Sequence, residues 1–592
     1  MIRLYWVFLV ILTAVCLFGC GNMEETNLGS ENSSPVVPNS YILGVWDTNP
    51  DYPRKNFRET IALSSLTRIE PIGKTTVLSS VNISDQKFVS LPASKKIRSM
   101  TLFRVDLPKG SSSKNLLSKF DQGTIALWEP NRINDLFAKK RVPAALTRSQ
   151  NIQSNQYNNE NFFTGLFQRY QDAGGYWWLD TIGLDAVYKA IGQRDLTKVS
   201  EANLRKLAPV IAILDSGIDF LHPALNEKIW VNPKPGLSGC ENDTYGCDAT
   251  LESAHSLGRG PAIPFATREA GEACPLETIE GQIFLNGACI HGTYVAGLIV
   301  ADDEYGVSGI CPHCKVLPIK VVESIEGEGK VPDSAILKGL KYVQNINKSH
   351  GGIVKVVNFS FGKFEQSLSV TLVVKELTNA GVMVVGASGN ENTSERVFPA
   401  ALEDVIAVTA VSREGKKASY SNFGSWINLA APGGDVERGS RNDEAILSTV
   451  PGGDVYLSQG TSVAAPLVTG VAGLIQMLEP RLGAKQLKKR LLGSADGKLY
   501  DMDFADGYNN AYRPRHGREY IPGLLGRGIL DGYAAYLGEM NAAEELMPSQ
   551  RVLPGCGEIK VNESTSKYSF LILTLFYLMP ILFLGLSRGG VS

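Results

Sequence analysis

The segment PVIAILDS, residues 209–216, is an apolar run that ends in a carboxylate and a turn. Similar runs rich in Val and Ile recur downstream and alternate with segments of helical spacing. The apolar runs are CKVLPIKVV (314–322), VKVVNFSFG (354–362) and VMVVGASGN (382–390), and the helical segments are HGTYVAGLIVA (291–301), DSAILKGLKYVQNI (333–346) and LVVKELTNAG (372–381). Apolar strands between amphipathic helices are typical of a parallel sheet covered on both faces. We therefore expect an α/β fold built on such a sheet.

The composition limits the kinds of partner that the chain can bind. It has 592 residues, with 58 Lys and Arg against 60 Asp and Glu, so the net charge is −2. A nearly neutral chain has no bulk electrostatic attraction to nucleic acid or to anionic lipid. Hydrophobic residues make up 44% and charged residues 20%, which is globular composition. We expect no nucleic-acid partner and at least one large folded core.

Three polar residues stand where apolar segments meet turns or helices. Asp215 follows the strand VIAIL, so its carboxylate is expected at the carboxyl edge of the sheet, where α/β proteins place their sites. His291 opens the helical segment HGTYVAG, and Ser462 lies at the start of a buried helix in GTSVAAPLVTGVAGLI (460–475). Each residue alone is better explained as a cap or turn residue. Together they are the three groups that acyl transfer requires.

The order Asp, His, Ser and the absence of a GxSxG motif argue against an α/β-hydrolase. Five motifs resemble those of the subtilisin-like serine proteases, the subtilase family of peptidase S8 type, and the resemblance covers about residues 170–540. The motifs are VIAILDSGID, HGTYVAG, VVNFSFG, VVGASGNEN and GTSVAAPLVTGVAGLI. This resemblance implies a subtilisin-like sheet and a serine endopeptidase that acts on protein or peptide substrates. The alternatives are an inactive subtilase-like scaffold that binds peptides and a structural surface lipoprotein.

The resemblance also implies a role for individual residues. Asp215, His291 and Ser462 would carry the catalytic triad. Asn390 would donate to the oxyanion together with the backbone N–H of Ser462. Neither role needs a cofactor or a metal.

Two further segments would bind the substrate according to the same resemblance. Ser360, Phe361 and Gly362 would form an edge that pairs with the substrate backbone as an added strand. Val397 would form the floor of the primary pocket. Its apolar side chain predicts that a basic residue before the cut bond is disfavoured.

The amino-terminal region predicts a separate small α+β domain over residues 41–133. Its segment ALWEPNRI (126–133) resembles the closing strand of the inhibitory propeptides of subtilases, which implies that the chain is made as a zymogen with its own propeptide as a partner. The alternative is an unrelated small binding domain. Residues 134–170 are expected to be a processing linker because they contain the polar stretch TRSQNIQSNQYNNEN (147–161). The catalytic domain is then expected over residues 171–540.

The amino terminus predicts export. Residues 1–20 have one basic residue, a short apolar run and the ending LFGC, which resembles the lipobox of bacterial lipoproteins with Cys20 as the lipidated residue. The alternative is an ordinary cleaved signal peptide. Residues 21–40 are rich in Ser, Asn, Glu and Pro and predict a flexible tether.

The carboxyl terminus predicts a second membrane segment. After a linker over residues 541–567, residues 568–587 form an uncharged apolar stretch that Arg588 follows, as expected of a transmembrane helix. The positive-inside rule then places the domains on the outside of the cytoplasmic membrane or at the surface of a bacterial cell, on the periplasmic or extracellular face. The helix is either a permanent anchor or a sorting tail that is removed, with Cys556 as a candidate processing or attachment site.

Six of the nine cysteines lie within 75 residues and predict disulfides in an exported protein. Pairing by proximity gives three bridges, 240–247, 274–289 and 311–314, and other connectivities stay open. The motif CPHC (311–314) is alternatively a redox or zinc pair. The segment from about 232 to 290 is expected to be a surface insertion that disulfides stabilise.

An acidic run is a candidate site for a structural calcium ion. ADDEYGVSG (301–309) follows the histidine helix, where relatives often carry a calcium loop, and Asp302, Asp303 and Glu304 supply oxygen ligands. The alternative is a solvated acidic turn.

Overall fold

Asp215 ends a strand whose six residues are all buried in a computed structural model of the chain. The structure describes residues 35–46, 68–77, 98–107, 125–136, 141–143, 176–193, 208–250, 258–259, 262, 276–279, 282–301, 307–325, 328–436, 444–500 and 524–538. All of these residues belong to the compact unit Glu31–Leu546. The predicted signal segment with Cys20, the acidic run 302–304 and the apolar stretch 568–587 lie outside the described residues.

The strands of the described residues are numbered in chain order. They are β1 (Val36–Trp46), β2 (Arg68–Val77), β3 (Arg98–Asp106), β4 (Ile125–Leu136), β5 (Arg141–Pro143), β6 (Val210–Asp215), β7 (Cys240–Glu241), β8 (Cys247–Asp248), β9 (Gly258–Arg259), β10 (Leu276–Ile279), β11 (Gln282–Asn286), β12 (Lys315–Lys320), β13 (Glu323–Ile325), β14 (Glu328–Pro332), β15 (Val354–Phe359), β16 (Phe361–Gly362), β17 (Met383–Ala387), β18 (Val405–Val411), β19 (Leu429–Pro432), β20 (Ile446–Val450) and β21 (Asp454–Ser458).

The helices of the same residues are α1 (Trp177–Thr181), α2 (Leu184–Gln193), α3 (Gly287–Val300), α4 (Asp333–Ser349), α5 (Leu368–Asn379), α6 (Thr461–Leu478), α7 (Ala484–Gly493) and α8 (Gly532–Leu537), with a 3₁₀ turn at Gly497–Tyr500.

The main sheet confirms the predicted α/β fold with a parallel sheet. Its seven strands in the described residues follow the order β19-β18-β17-β15-β6-β12-β8, and every neighbouring pair is parallel. Both faces of β6 are buried. Ile211 and Ile213 belong to the core formed with α3 and α6, whereas Ala212 and Leu214 belong to the core formed with α4 and α5. Helices therefore cover the sheet on both sides, as near-continuous apolar strands require.

The cysteine-rich segment is more than the surface insertion that we expected. Its strand β8 extends the main sheet, because Cys247 pairs with Ile319 and Asp248 pairs with Lys320. A disulfide joins Cys247 to Cys240, and both cysteines are fully buried. The insertion thus contributes an edge strand to the core fold.

The helix α6 is the one described segment that is long and apolar enough to cross a membrane. In this structure 94% of it is buried inside the protein. Its hydrophobicity therefore reflects its place at the centre of the core, against α3 and the sheet.

The amino-terminal strands form a second, antiparallel sheet in the order β4-β1-β3-β2. This sheet begins at Val36, inside the expected tether, and β4 continues to Leu136, inside the expected processing linker. The expected boundaries at residues 41 and 133 thus fall within strands. The hairpin β13–β14 and the short strand β16 pair with β4 and enlarge this sheet.

The antiparallel sheet packs on α4 and α5, so these two helices lie between the two sheets. Ile42, Ile72 and Leu127 belong to the same core as the apolar face of α4. A buried ion pair joins the two layers, since Lys338 Nζ lies 2.7 Å from Glu70 Oε1. Apolar burial supplies most of the attraction, and the buried pair penalises any displacement that separates its charges.

Glu129 of β4 caps the amino terminus of α5. Its carboxylate accepts hydrogen bonds from the backbone N–H groups of Leu368 and Ser369, at 3.1 Å each, and from the hydroxyl of Ser367 at 3.0 Å. The first N–H groups of a helix have no partner within the helix, and a negative charge there also complements the helix dipole. Glu129 therefore fixes how the antiparallel sheet sits on α5.

We predict that Glu129→Gln lowers the stability of the folded chain by about 1–3 kcal/mol, because a buried charged acceptor of several hydrogen bonds is lost. The matched control is Asp135→Asn on the same strand. The ion pair of Asp135 with Lys330 is exposed, and its loss should cost less than about 1 kcal/mol. Calorimetric melting of both variants as full-length chains measures the difference. Equal melting temperatures would contradict the capping role.

Candidate active site

The carboxyl edge of the main sheet brings Asp215 and His291 together. His291 Nδ1 lies 2.8 Å from Asp215 Oδ1 and 3.0 Å from Oδ2, and both residues are buried. The N–H of Ser216 donates to Asp215 Oδ1 at 2.7 Å, which holds the carboxylate in place. Such a carboxylate fixes the orientation of an imidazole and stabilises its positive charge when it takes up a proton.

His291 lies within α3, and this corrects the sequence expectation that it opens a helix. The helix begins at Gly287, one turn earlier. Apolar periodicity alone does not reveal the first turn, because GACI (287–290) looks like a continuation of the preceding segment. His291 Nε2 is buried and has no hydrogen-bond partner within the described part of the chain. This nitrogen is therefore available to accept a proton from a nucleophile.

A close backbone approach sets the distance between α3 and β6. The N–H of Gly292 donates to the hydroxyl of Ser216 at 3.0 Å. A β-carbon at Gly292 would lie 2.1 Å from the carbonyl oxygen of Gly217, which is closer than any van der Waals contact. Only glycine at position 292 lets the helix come near enough for His291 to reach Asp215.

Ser462 and Asn390 border one small space at the amino terminus of α6. A β-carbon at Gly460 would lie 3.1 Å from Ser462 Oγ and 3.5 Å from Asn390 Nδ2, and 3.7 Å from the backbone nitrogen of Ser462. Gly460 has φ +151°, a conformation that glycine adopts readily. The hydroxyl therefore lies beside two N–H donors, as an oxyanion hole next to a nucleophile would require.

Thr461 orients the Asn390 amide, a role that the sequence analysis missed. Both the N–H and the hydroxyl of Thr461 contact Asn390 Oδ1 at 2.9 Å, and the hydroxyl accepts from the N–H of Gly389 at 3.1 Å. With Oδ1 bound in this way, Nδ2 must point in the other direction. In the sequence, only the position of Thr461 directly before Ser462 indicates this role.

Buried hydrogen bonds connect Ser360 to helix α6 through Asn358. The amide of Asn358 donates to Ser360 Oγ at 3.0 Å, and the hydroxyl of Thr469 in α6 donates to Asn358 Oδ1 at 2.8 Å. The expected substrate edge therefore has a fixed position relative to α6, which carries Ser462.

The structure pairs this edge with the end of β4. Phe361 lies opposite Leu136 and Gly362 lies opposite Asp135. On its other side, the same end of β4 pairs with β14, where Ile133 lies opposite Pro332. We call the space between β14 (Glu328–Pro332) and β16 (Phe361–Gly362) the groove. A segment of the chain itself occupies it as an added strand.

The direction of β4 in the groove follows from the strand pairings. Strand β16 comes directly after β15, whose residue Phe359 pairs with Leu214, the neighbour of Asp215. Because β4 is antiparallel to β16, β4 runs toward this edge of the main sheet as it approaches Leu136. The groove thus leads to the edge that carries Asp215.

Val397 is 1% exposed and belongs to the core around α3 and α6. The next residue, Phe398, exchanges backbone hydrogen bonds with Lys363, just beyond β16. Val397 is therefore the sequence neighbour of a residue that pairs with the chain next to the groove. Its role as the floor of a primary pocket stays a prediction.

Burial shifts the pKa values of His222 and Glu391. Burial lowers the pKa of His222, whose Nε2 lies 2.9 Å from the carbonyl oxygen of Asp454 and whose Nδ1 accepts from the N–H of Ala224. These contacts give His222 a structural role. Burial also raises the pKa of Glu391, next to Asn390, and the hydrogen bond from Asn422 opposes this shift.

The structure contains two of the disulfides predicted by proximity, Cys240–Cys247 and Cys311–Cys314. Cys289 is also disulfide-bonded. The CPHC motif is thus a disulfide rather than a metal pair. Among the described residues, no group of three or more His, Cys, Asp or Glu side chains is arranged to hold a metal ion.

Comparison with known proteins assigns the family. The sequence pattern of the Subtilase family, Peptidase S8, matches residues 207–517, which is more than half of the chain. The chain belongs to the subtilase family. The matched region of this subtilase includes Asp215, His291, Asn390 and Ser462.

Among its relatives, M-protease of Shouchella clausii (strain KSM-K16) is 34% identical over 222 residues, which are 37% of this chain and 53% of that protein. Alkaline elastase YaB of Bacillus sp. (strain YaB) is 33% identical over 222 residues, which are 37% and 54% of the two chains. The subtilase thus spans about half the length of these relatives. A solved structure described as proteases from Pseudoalteromonas arctica PAMC 21717 has 27% identity and a TM-score of 0.38, and covers 56% of this chain and 90% of that one.

We predict that Gly292→Ala destabilises the subtilase by about 3 kcal/mol or more, because α3 must move away from the Gly217 carbonyl and overpacking of a tight backbone contact is costly. Gly483→Ala is the control, because it has an ordinary φ of −70° and a β-carbon there would meet only Gln486 Oε1 at 3.5 Å. The midpoint of guanidinium unfolding compares the two. A Gly292→Ala midpoint as high as that of the control would refute the close-approach argument.

Proposed function

We propose that the chain is a serine endopeptidase in which Asp215, His291 and Ser462 form the catalytic triad. The observation that carries the proposal is the arrangement of these groups, with His291 bound to a buried Asp215 and the Ser462 hydroxyl beside the Asn390 amide. Membership of the subtilase family supports the same activity.

The proposed reaction proceeds in two steps. His291 Nε2 accepts the proton of the Ser462 hydroxyl while the oxygen attacks the carbonyl carbon of a peptide bond, and the Asn390 amide and the Ser462 N–H stabilise the negative oxygen. The imidazolium then delivers its proton to the leaving amine, which leaves an acyl group on Ser462. Water, deprotonated in turn by His291, releases the acid. Every step uses side chains and backbone groups of the chain, with no cofactor.

Protein or peptide substrates are proposed to bind in the groove as an added strand. The pairing of β4 with both β14 and β16 supports this mode, because backbone hydrogen bonds accept an extended segment of almost any sequence. The same backbone partners would then hold the residues that precede the cut bond.

The amino-terminal sheet is proposed to be an inhibitory propeptide. Three observations support this role, namely its packing on α4 and α5, the cap that Glu129 gives to α5, and the occupation of the groove by the end of β4. A parallel-sheet protease has many contacts between distant segments and folds slowly, so it gains from a template that also blocks the groove. The chain would be made as a zymogen and would process itself.

The protein is further proposed to be exported and attached to a bacterial membrane. The support is the sequence of residues 1–20, with its lipobox-like ending at Cys20, and the apolar stretch 568–587. The Cys240–Cys247 and Cys311–Cys314 disulfides agree with an oxidising compartment. A structural calcium ion at Asp302, Asp303 and Glu304 belongs to the same set of proposals.

We predict that the wild-type chain cuts itself between Leu136 and Tyr176, because the end of β4 lies in the groove and runs toward the triad. Ser462→Ala removes the nucleophile and should leave the chain at full length. The mass and amino-terminal sequence of the purified products measure this. Full-length protein in both cases would indicate an inactive peptide-binding scaffold, and equal processing of both would assign the cut to another protease.

A further inference from the structure

We propose that Asp333, paired with Lys363, makes the groove select a side chain with a short amide, asparagine above all, at the position that Asn134 occupies. This inference deepens the proposed function and rests on it, because it treats the end of β4 as a bound substrate. It assigns a specificity-determining pair to the groove.

Asn134 directly precedes Asp135, the residue of β4 that pairs with both β14 and β16. It stands opposite Val331 of β14 and is 1% exposed. Its side-chain nitrogen donates to the carbonyl oxygen of Val331 at 2.8 Å and to Asp333 Oδ1 at 3.1 Å. The side-chain amide therefore donates to two acceptors, the Val331 carbonyl and Asp333 Oδ1. A side chain that lacks N–H groups would leave both acceptors without this donor.

The charge of Asp333 is balanced from the other edge of the groove. Asp333 is fully buried at the start of α4, and Lys363, directly after β16, hydrogen-bonds to its Oδ1. Burial lowers the pKa of Lys363, and the charge of Asp333 opposes this shift. Placing such a pair between two groove edges costs desolvation energy that apolar residues would not require.

The capacity of the Asp333 carboxylate to accept hydrogen bonds favours an occupant that donates them. Asp333 Oδ2 is buried and makes no hydrogen bond within the described part of the chain. An apolar occupant would remove a donor from both Asp333 Oδ1 and the Val331 carbonyl, whereas an amide donates to both. A carboxylate in the same place would face the charge of Asp333, and a cation would compete with Lys363 for it.

The walls of the site restrict the size of the occupant. A small, partly open cavity beside Asn134 and the ion pair is lined by a few further residues. They are Ser367, Val370, Thr371, Phe398, Pro399 and Leu402. An amide on one methylene group, as in Asn134, has the length that reaches Asp333 Oδ1 from this strand.

The expected selectivity follows from the cost of unpaired buried groups. Leaving a buried acceptor without a donor costs about 1–3 kcal/mol. A site built around hydrogen bonds therefore rejects an analogue that lacks them more strongly than an apolar pocket rejects one methylene group. We expect asparagine to be preferred over leucine at this position by about tenfold to a hundredfold in kcat/KM.

The first experiment reads the preference on foreign substrates. The full chain, after self-processing, digests a denatured protein mixture, and mass spectrometry records the residues before each cut. We expect asparagine to be enriched at one fixed position, the one that Asn134 holds relative to the processing cut. The variant Asp333→Leu/Lys363→Met replaces the ion pair with apolar groups, a kind of exchange that folded proteins often accept. In that variant the preference should shift to leucine.

The second experiment tests the same contact within the chain. The substitutions Asn134→Leu and Asn134→Asp introduce side chains of nearly the size of asparagine that lack its N–H donors. Both should slow self-processing by about tenfold or more in the otherwise unchanged chain. In the Asp333→Leu/Lys363→Met background, the chain with Asn134→Leu should process itself at least as fast as the chain that keeps Asn134.

The outcomes separate this inference from the proposed function. Digestion by the unchanged chain with no preference for asparagine at any position would overturn the inference and leave the endopeptidase intact, whether or not the double variant folds. The same preference in the double variant would assign the selectivity to other residues and would also overturn it. No digestion by the unchanged chain would contradict the proposed function, and the inference would fail with it.

Discussion

Burial of the Asp215 carboxylate is the constraint on which the site depends. A charged group at the end of a fully buried strand must be hydrogen-bonded, and the Ser216 N–H and the His291 ring supply the bonds. The His291 contact requires α3 to approach β6 as closely as Gly292 allows. The position of the histidine therefore follows from the need to satisfy one buried charge.

The second requirement is that two elements far apart in the chain meet at the same edge. The start of α6 brings Ser462, and the end of β17 leads to Asn390, because β17 is a strand of the parallel sheet and α6 packs against that sheet. Thr461 then fixes the direction of the amide. The amino-terminal sheet also reaches this edge, because the end of β4 fills the groove between β14 and β16. The fold, the site and the segment in the groove thus form one continuous arrangement.

The sequence was sufficient for features that depend on local patterns. Apolar runs such as VIAILD predict buried parallel strands, and the residues that follow them, Asp215 and Asn390, fall at the carboxyl edge for that reason. The pairing of Cys240 with Cys247 is also local. Features that depend on distant pairings could not be read in this way. The continuation of β4 to Leu136 depends on partners about two hundred residues away, and the contact of Asn134 with Asp333 depends on that register.

The central claim is that His291 and Asp215 activate the Ser462 hydroxyl, and reaction with a fluorophosphonate tests it most directly. Mass spectrometry of the labelled protein should show one adduct, located on Ser462, and none in Ser462→Ala. An unlabelled chain, or an adduct that persists in Ser462→Ala, would contradict the account.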